Sequence, residues 1–127
     1  NQKDFQAIID LTKEKFGFSH ETIQVNLKNT NRGFARYRSM SINLPDWILK
    51  RGEHYATYYA VHEICHFLNR WLTPSFNDNH GPNFKKIEKM AMELWGLKIE
   101  YAKAYPKALY HAGQKVFDKK LLNSNKN

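Results

Sequence analysis

Cysteine, acidic residues and long apolar runs are all scarce in this chain of 127 residues. Its one cysteine, Cys65, cannot form an internal disulfide, so nothing requires an oxidising compartment and we expect a cytoplasmic location. A zinc site built from four cysteines is excluded for the same reason. No apolar run approaches the roughly 20 residues of a membrane-spanning helix. Residues Asn1 to Asp4 open a charged amphipathic stretch and not a secretory signal, so we expect no membrane partner.

The shortage of acidic residues leaves the chain strongly basic. Twelve Asp and Glu stand against twenty Lys and Arg, which gives a formal net charge of +8. Such a charge bears on solubility and partners and not on the fold. It is compatible with nucleic acid, with an acidic substrate and with a simple solvated surface. The length and the 42% of hydrophobic residues fit one domain, which we place at residues 1–122, with a flexible tail at 123–127.

Apolar periodicity predicts a helix followed by strands in the first part of the chain. The spacing of apolar residues after Phe5 favours an N-terminal helix that Gly17 ends. Alternation predicts a half-buried strand over residues 21–28 and a second, long or bent strand over 34–44. Pro45 then ends the second strand, and a short helical piece follows.

Two longer helices are predicted in the second part. The first runs from about His54 to Trp71, and Pro82 opens the other, which Gly96 ends. Residues 102–127 show no clear period. We therefore expect an α+β domain in which the N-terminal helix packs on a short, mostly antiparallel sheet, followed by these two helices.

The segment His62-Glu63-Ile64-Cys65-His66 lies inside the first of these helices. Residues four apart share one helix face, so His62 and His66 can present two imidazole nitrogens to a single Zn2+ ion. Glu63 can reach a water bound to that metal and take its proton, as metal-assisted hydrolysis requires. Two ordinary histidines on a helix are the alternative reading.

A catalytic zinc site needs a third protein ligand and an open position for water. The metzincin Gly and third His are replaced by Asn69 and Leu72, so that class is excluded. Glu88 and Glu93 are candidates for a thermolysin-type ligand, although the Asp expected four residues later is absent from both. His80, at the end of a polar loop just before a helix, is the better candidate. Its alternative is a solvent-exposed loop histidine.

The residues that follow the loop carry a resemblance to a known family. A helix with the H-E-x-x-H motif, a loop, and then His80-Gly81-Pro82-Asn83-Phe84 resembles the SprT-like zinc metalloproteases. This family includes bacterial SprT proteins and the DNA-dependent repair protease Spartan. The resemblance covers roughly residues 20–100.

The resemblance implies a small zincin-like domain that hydrolyses peptide bonds in protein or peptide substrates. It implies that His62, His66 and His80 are the Zn2+ ligands and that Glu63 is the catalytic base. It also makes DNA a possible partner. The family's C-terminal zinc ribbon, with its paired cysteines, has no counterpart in this sequence.

Two other functions stay open at this stage. One is a DNA-associated protein whose metal is mainly structural, and the other is a latent protease covered by its own C-terminal segment. Arg32, Arg36 and Arg38, interleaved with Phe34 and Tyr37, could bind single-stranded nucleic acid or simply keep a hairpin soluble.

A residue that stabilises the oxyanion is also expected. The sequence does not choose among its C-terminal candidates, which are Tyr101, Tyr105, Tyr110 and His111.

Overall fold

A small sheet and three α-helices make up the part of the chain, residues 2–75 and 78–97, that this computed structural model describes. The α+β class and the predicted order of helix, sheet and two helices are confirmed. The predicted boundary at residue 122 and the tail at 123–127 lie outside the described residues. The elements are α1 (Gln2–Lys15), β1 (Gln24–Lys28), β2 (Phe34–Arg36), β3 (Ser41–Pro45), α2 (Glu53–Leu72) and α3 (Pro82–Leu94), with a 3-10 helix at Asp46–Arg51.

The sheet has the strand order β1-β3-β2 and is mixed. Strand β1 runs parallel to β3, with Val25 opposite Ile42, and β2 runs antiparallel to β3, with Ala35 opposite the same residue. The second strand, predicted over 34–44, is therefore two strands joined by a turn. Met40 closes this turn with a positive φ of 50°, which is unusual for a residue other than glycine.

Helix α2 lies at the centre of the core. It packs against α1, α3 and the sheet, and nearly every residue from Tyr55 to Asn69 is buried. A helix buried on almost all sides brings its polar side chains into the interior with it, and these need polar partners. Among the described residues, no helix combines the length and apolarity that a membrane crossing demands.

The two edges of the sheet differ in what lies beside their backbone groups. The side chain of Gln6, on α1, lies along the outer edge of β1 and forms hydrogen bonds with the backbone of this strand and of the residue just before it. Its Nε2 donates to the carbonyl of Ile23 at 2.8 Å, and its Oε1 accepts from the amide of Val25 at 3.1 Å. The amide thus occupies hydrogen-bonding groups that an added strand would use. The other edge, β2, borders the candidate site.

The closure of the β1 edge can be tested by removing the Gln6 side chain. We expect Gln6→Ala to lower the free energy of unfolding by about 1–2 kcal/mol, because two partly buried backbone groups lose their partners. Urea denaturation followed by circular dichroism measures this change. Glu14→Ala, at an exposed position of the same helix, is the control. Equal stabilities of the two variants would contradict the role given to Gln6.

Candidate metal centre

Helix α2 places the two motif histidines on one face, one turn apart. Their ring centroids lie 5.2 Å apart. His62 is only 1% exposed, whereas His66 is partly exposed. The histidine pair therefore lies where the buried helix reaches the surface of the domain.

The loop before α3 adds the third imidazole. The Nε2 atom of His80 lies 3.2 Å from Nε2 of His62 and 3.0 Å from Nε2 of His66. A divalent ion bound tetrahedrally at about 2.1 Å from each nitrogen would hold such nitrogens about 3.4 Å apart, so the spacing fits a metal with little adjustment. The three histidines are thus the predicted ligands brought together in space, and their role as ligands stays a prediction.

The position of His80 depends on a carboxylate two residues earlier. Asp78 accepts hydrogen bonds from the backbone amides of Asn83, at 2.8 Å, and Phe84, at 3.0 Å, in the first turn of α3. It thereby satisfies amides that a helix start leaves without partners. A Cβ atom on Gly81 would lie 2.5 Å from the Asp78 carboxylate, so only glycine leaves room for this contact.

A side-chain amide on α2 connects the same loop to the helix that carries the motif histidines. The Nδ2 atom of Asn69 donates to the backbone carbonyl of Asp78 at 2.9 Å, and its Oδ1 accepts from Asn83 at 2.6 Å. Asn83 also donates to the hydroxyl of Thr73 at 2.6 Å. Sequence reasoning treated Asn69 only as a missing metzincin glycine. Its position, three residues after the second motif histidine, is the signal that could have drawn attention to it.

Glu88 lies behind the histidine cluster and is not a member of it. Its Oε2 accepts a short hydrogen bond from Nδ1 of His62, and both side chains are buried, at 0% and 1% exposure. This bond keeps the proton of His62 on Nδ1 and leaves the Nε2 lone pair for a metal. The thermolysin-type alternative would make Glu88 the third ligand. In the structure Glu88 instead lies outside the cluster, bonded to the ring of His62. Glu93, the other candidate, is exposed.

Burial and neighbouring charge set the protonation of the imidazoles. Burial, together with the neighbouring charge of His62, lowers the pKa of His66 to about 2 and that of His80 to about 4. Burial also disfavours the charged form of His62, but the charge and hydrogen bond of Glu88 outweigh it and raise the pKa. His66 and His80 are therefore neutral at pH 7 and able to bind a cation.

Glu63 sits beside the cluster and is only 4% exposed. Burial raises its pKa to about 7, with His62 lowering the pKa and Glu88 raising it. A carboxyl group with a pKa near the working pH can both accept and release a proton.

A cavity of about 570 Å³ opens above these residues. Strand β2 and the turn before it form one wall, and aromatic side chains form much of the rest. The backbone amide of Gly33 donates to the hydroxyl of Tyr59 at 2.9 Å, and a Cβ atom there would lie 2.7 Å from the Tyr59 ring. The Tyr37 hydroxyl donates to the carbonyl of His66 at 3.3 Å. The oxyanion candidates Tyr101, Tyr105, Tyr110 and His111 lie outside the described residues.

The fold and site together define a small α+β domain with a candidate three-histidine metal centre on an H-E-x-x-H helix. The sequence model of the SprT-like family matches residues 2–111, which is most of the chain. The chain therefore belongs to the SprT-like family, and the predicted resemblance is confirmed. No curated protein and no solved structure matches it.

The role of Glu88 can be tested through metal affinity. Glu88→Gln keeps the shape of the side chain but removes the charge that holds His62, so we expect about tenfold weaker Zn2+ binding. Competition with a chromophoric chelator measures the affinity. Glu93→Gln, an exposed position on the same helix, should bind Zn2+ as the wild type does. Unchanged affinity in Glu88→Gln would show that the carboxylate does not support the site.

The close approach of Gly81 and Asp78 gives a second test. In Gly81→Ala the new methyl group displaces the Asp78 carboxylate, so the α3 amides lose their partner and His80 shifts. We expect a loss of about 1–3 kcal/mol in the free energy of unfolding and weaker Zn2+ binding in the same chelator assay. Ser75→Ala, an exposed position in the same loop, is the control. Wild-type affinity and stability in Gly81→Ala would refute this account of the loop.

Proposed function

We propose that this protein is a zinc-dependent metalloprotease that hydrolyses peptide bonds. The observation that carries the proposal is the convergence of three imidazole nitrogens beside the buried carboxylate of Glu63, at a cavity bordered by a sheet edge. Three ligands leave a position open for water, as catalytic zinc sites do, whereas structural sites are closed by four. In the described part of the chain, only these three side chains form a group able to hold a metal.

The chemistry divides between the metal and the chain. A zinc ion held by His62, His66 and His80 would supply a Lewis acid and lower the pKa of water. Glu63 accepts the proton of the water whose oxygen bonds to the peptide carbonyl carbon. The same carboxyl group then donates that proton to the leaving nitrogen as the C–N bond breaks. The pKa of about 7 that burial gives Glu63 in the metal-free protein suits both transfers.

The β2 edge supports the binding of an extended peptide. Residues 31–35 line the cavity, and β2 pairs with β3 on one side only within the described residues. A substrate backbone lying along the other side can form the hydrogen bonds of an added strand, with its side chains entering the cavity. Because Gln6 closes the β1 edge, β2 is the edge that favours such pairing.

Two further features bear on the proposed activity, namely DNA binding and inhibition by the chain's own C-terminal segment. Arg32, Arg36 and Arg38 are exposed around β2, where a polyanion could contact them. A latent form would depend on the chain beyond Leu97, which lies outside the described residues.

The decisive variant is Glu63→Gln. We expect it to reduce hydrolysis of an unfolded protein such as casein by at least about 100-fold, because the general base is lost. Its zinc content, measured by atomic absorption, should equal that of the wild type. Activity is measured with and without single-stranded DNA, and Glu14→Gln serves as the exposed-site control. Equal activity in Glu63→Gln and wild type would overturn the mechanism while leaving the metal site standing.

A further inference from the structure

A second, smaller cavity lies next to the candidate active site. Its volume is about 260 Å³, and Tyr37 lines both cavities. One wall comes from the turn between β2 and β3, and the other comes from the last turns of α2. We call it the arginine pocket, after two of its lining residues, and its full lining is Tyr37, Arg38, Met40, Phe67, Arg70 and Trp71.

Among the described residues, the lining of the pocket includes two cations and no carboxylate. Arg38 and Arg70 are both exposed, and no carboxylate in the described part of the chain forms an ion pair with either. The guanidinium of Arg70 lies over the ring of Tyr37, 4.3 Å from its centroid. A stacked guanidinium keeps its N–H groups directed outward in its own plane, where they can bind a carboxylate with two hydrogen bonds.

The pocket lies within reach of a substrate held at the metal centre. Along α2, Arg70 is six residues beyond the midpoint between His62 and His66, a rise of about 9 Å. An extended peptide advances about 3.3 Å per residue, so this distance corresponds to two or three residues. The turn at Tyr37 also follows directly from β2, the strand proposed to pair with the substrate backbone.

We propose that the arginine pocket is a substrate subsite that binds an acidic side chain two or three residues from the scissile bond. This inference rests on the proposed function, because it assumes a peptide in the main cavity. A nucleic-acid phosphate is the rival anion. The pocket favours a carboxylate because one face of Tyr37 carries Arg70 and Phe67 also packs against the ring, with centroids 5.2 Å apart. The ring of Trp71, which also lines the pocket, packs against Phe18 and Phe67 with centroids 4.9 and 5.4 Å away. The rings on which a base could stack are thus already engaged in packing.

The test uses pairs of quenched fluorescent peptides that differ only in Glu or Gln at one position. The pair position is moved through three residues on each side of the scissile bond, which mass spectrometry locates. At one position we expect the Glu peptide to be cleaved with a kcat/KM about tenfold higher than its Gln twin, chiefly through KM. The preference should shrink as salt is added, because the site is exposed.

Arginine variants assign that preference to the pocket. In the double variant Arg38→Gln, Arg70→Gln, the Glu-to-Gln ratio should fall to about one, and Arg70→Lys should retain part of it. A merely structural role of these arginines would lower cleavage of both twins alike and leave the ratio intact, which would overturn the proposal. Lys89→Gln, at an exposed position on α3, should keep the wild-type ratio.

A binding assay separates this inference from the proposed function. Anisotropy of the same labelled peptides is measured with zinc-loaded Glu63→Gln, which needs no hydrolysis. Arginine-dependent preference in binding, without cleavage by the wild type, would support the subsite and overturn the protease. Cleavage without preference at any position would support the protease and overturn the subsite. Arginine-dependent binding of oligothymidylate, with no preference between the peptide twins, would assign the pocket to nucleic acid and overturn the subsite.

Discussion

The burial of α2 is the constraint on which the rest of the structure depends. Because the helix is enclosed on nearly all sides, each polar side chain on its buried surface needs a partner from another element. Glu88 meets this need for His62 and belongs to α3, while Asp78 meets it for Asn69 and belongs to the loop before α3. The same contacts that satisfy the helix therefore fix α3 and carry His80 to the other two imidazoles. The contacts that pack the core are therefore the same contacts that position the candidate metal centre.

The charges of the buried side chains also bear on the candidate metal centre. Glu63 and Glu88, both at most 4% exposed, would contribute two negative charges when ionised. His66 and His80 are neutral, and His62, whose pKa Glu88 raises, contributes at most one positive charge. Two buried carboxylates that share at most one cation are costly to ionise, and burial accordingly raises the pKa of Glu63. A divalent cation at the histidines would bring the sum of these charges to zero. Without a metal, the site reaches neutrality only with Glu63 protonated and His62 charged beside Glu88. A divalent cation removes that requirement, which is a reason, independent of any motif, to expect a metal there.

Local periodicity predicted the parts of the site and fold that lie within one element. The spacing of His62, Glu63 and His66 needs only a helix, and a helix is a local structure. His80 needed the family resemblance, because its approach depends on a loop whose course no spacing encodes. The break within the predicted strand at 34–44 and the parallel pairing of β1 with β3 were missed, since both depend on contacts between distant residues. Glu88 was considered only as a candidate thermolysin-type ligand, because its position in the sequence does not reveal that its partner is His62.

In the proposed protease, the order of residues along α2 separates the residues for specificity from those for catalysis. Tyr55 and Tyr59 line the main cavity near the start of the helix, the motif histidines follow, and Arg70 lies near the end. One helix therefore sets the distances between the main cavity, the histidine cluster and the arginine pocket. Arg70 is exposed and takes no part in the contacts that hold His62, so its replacement alters what the groove accepts without disturbing the buried network. Substrate preference in such a domain is free to change at the helix ends, while the central turn is held fixed by burial and by Glu88.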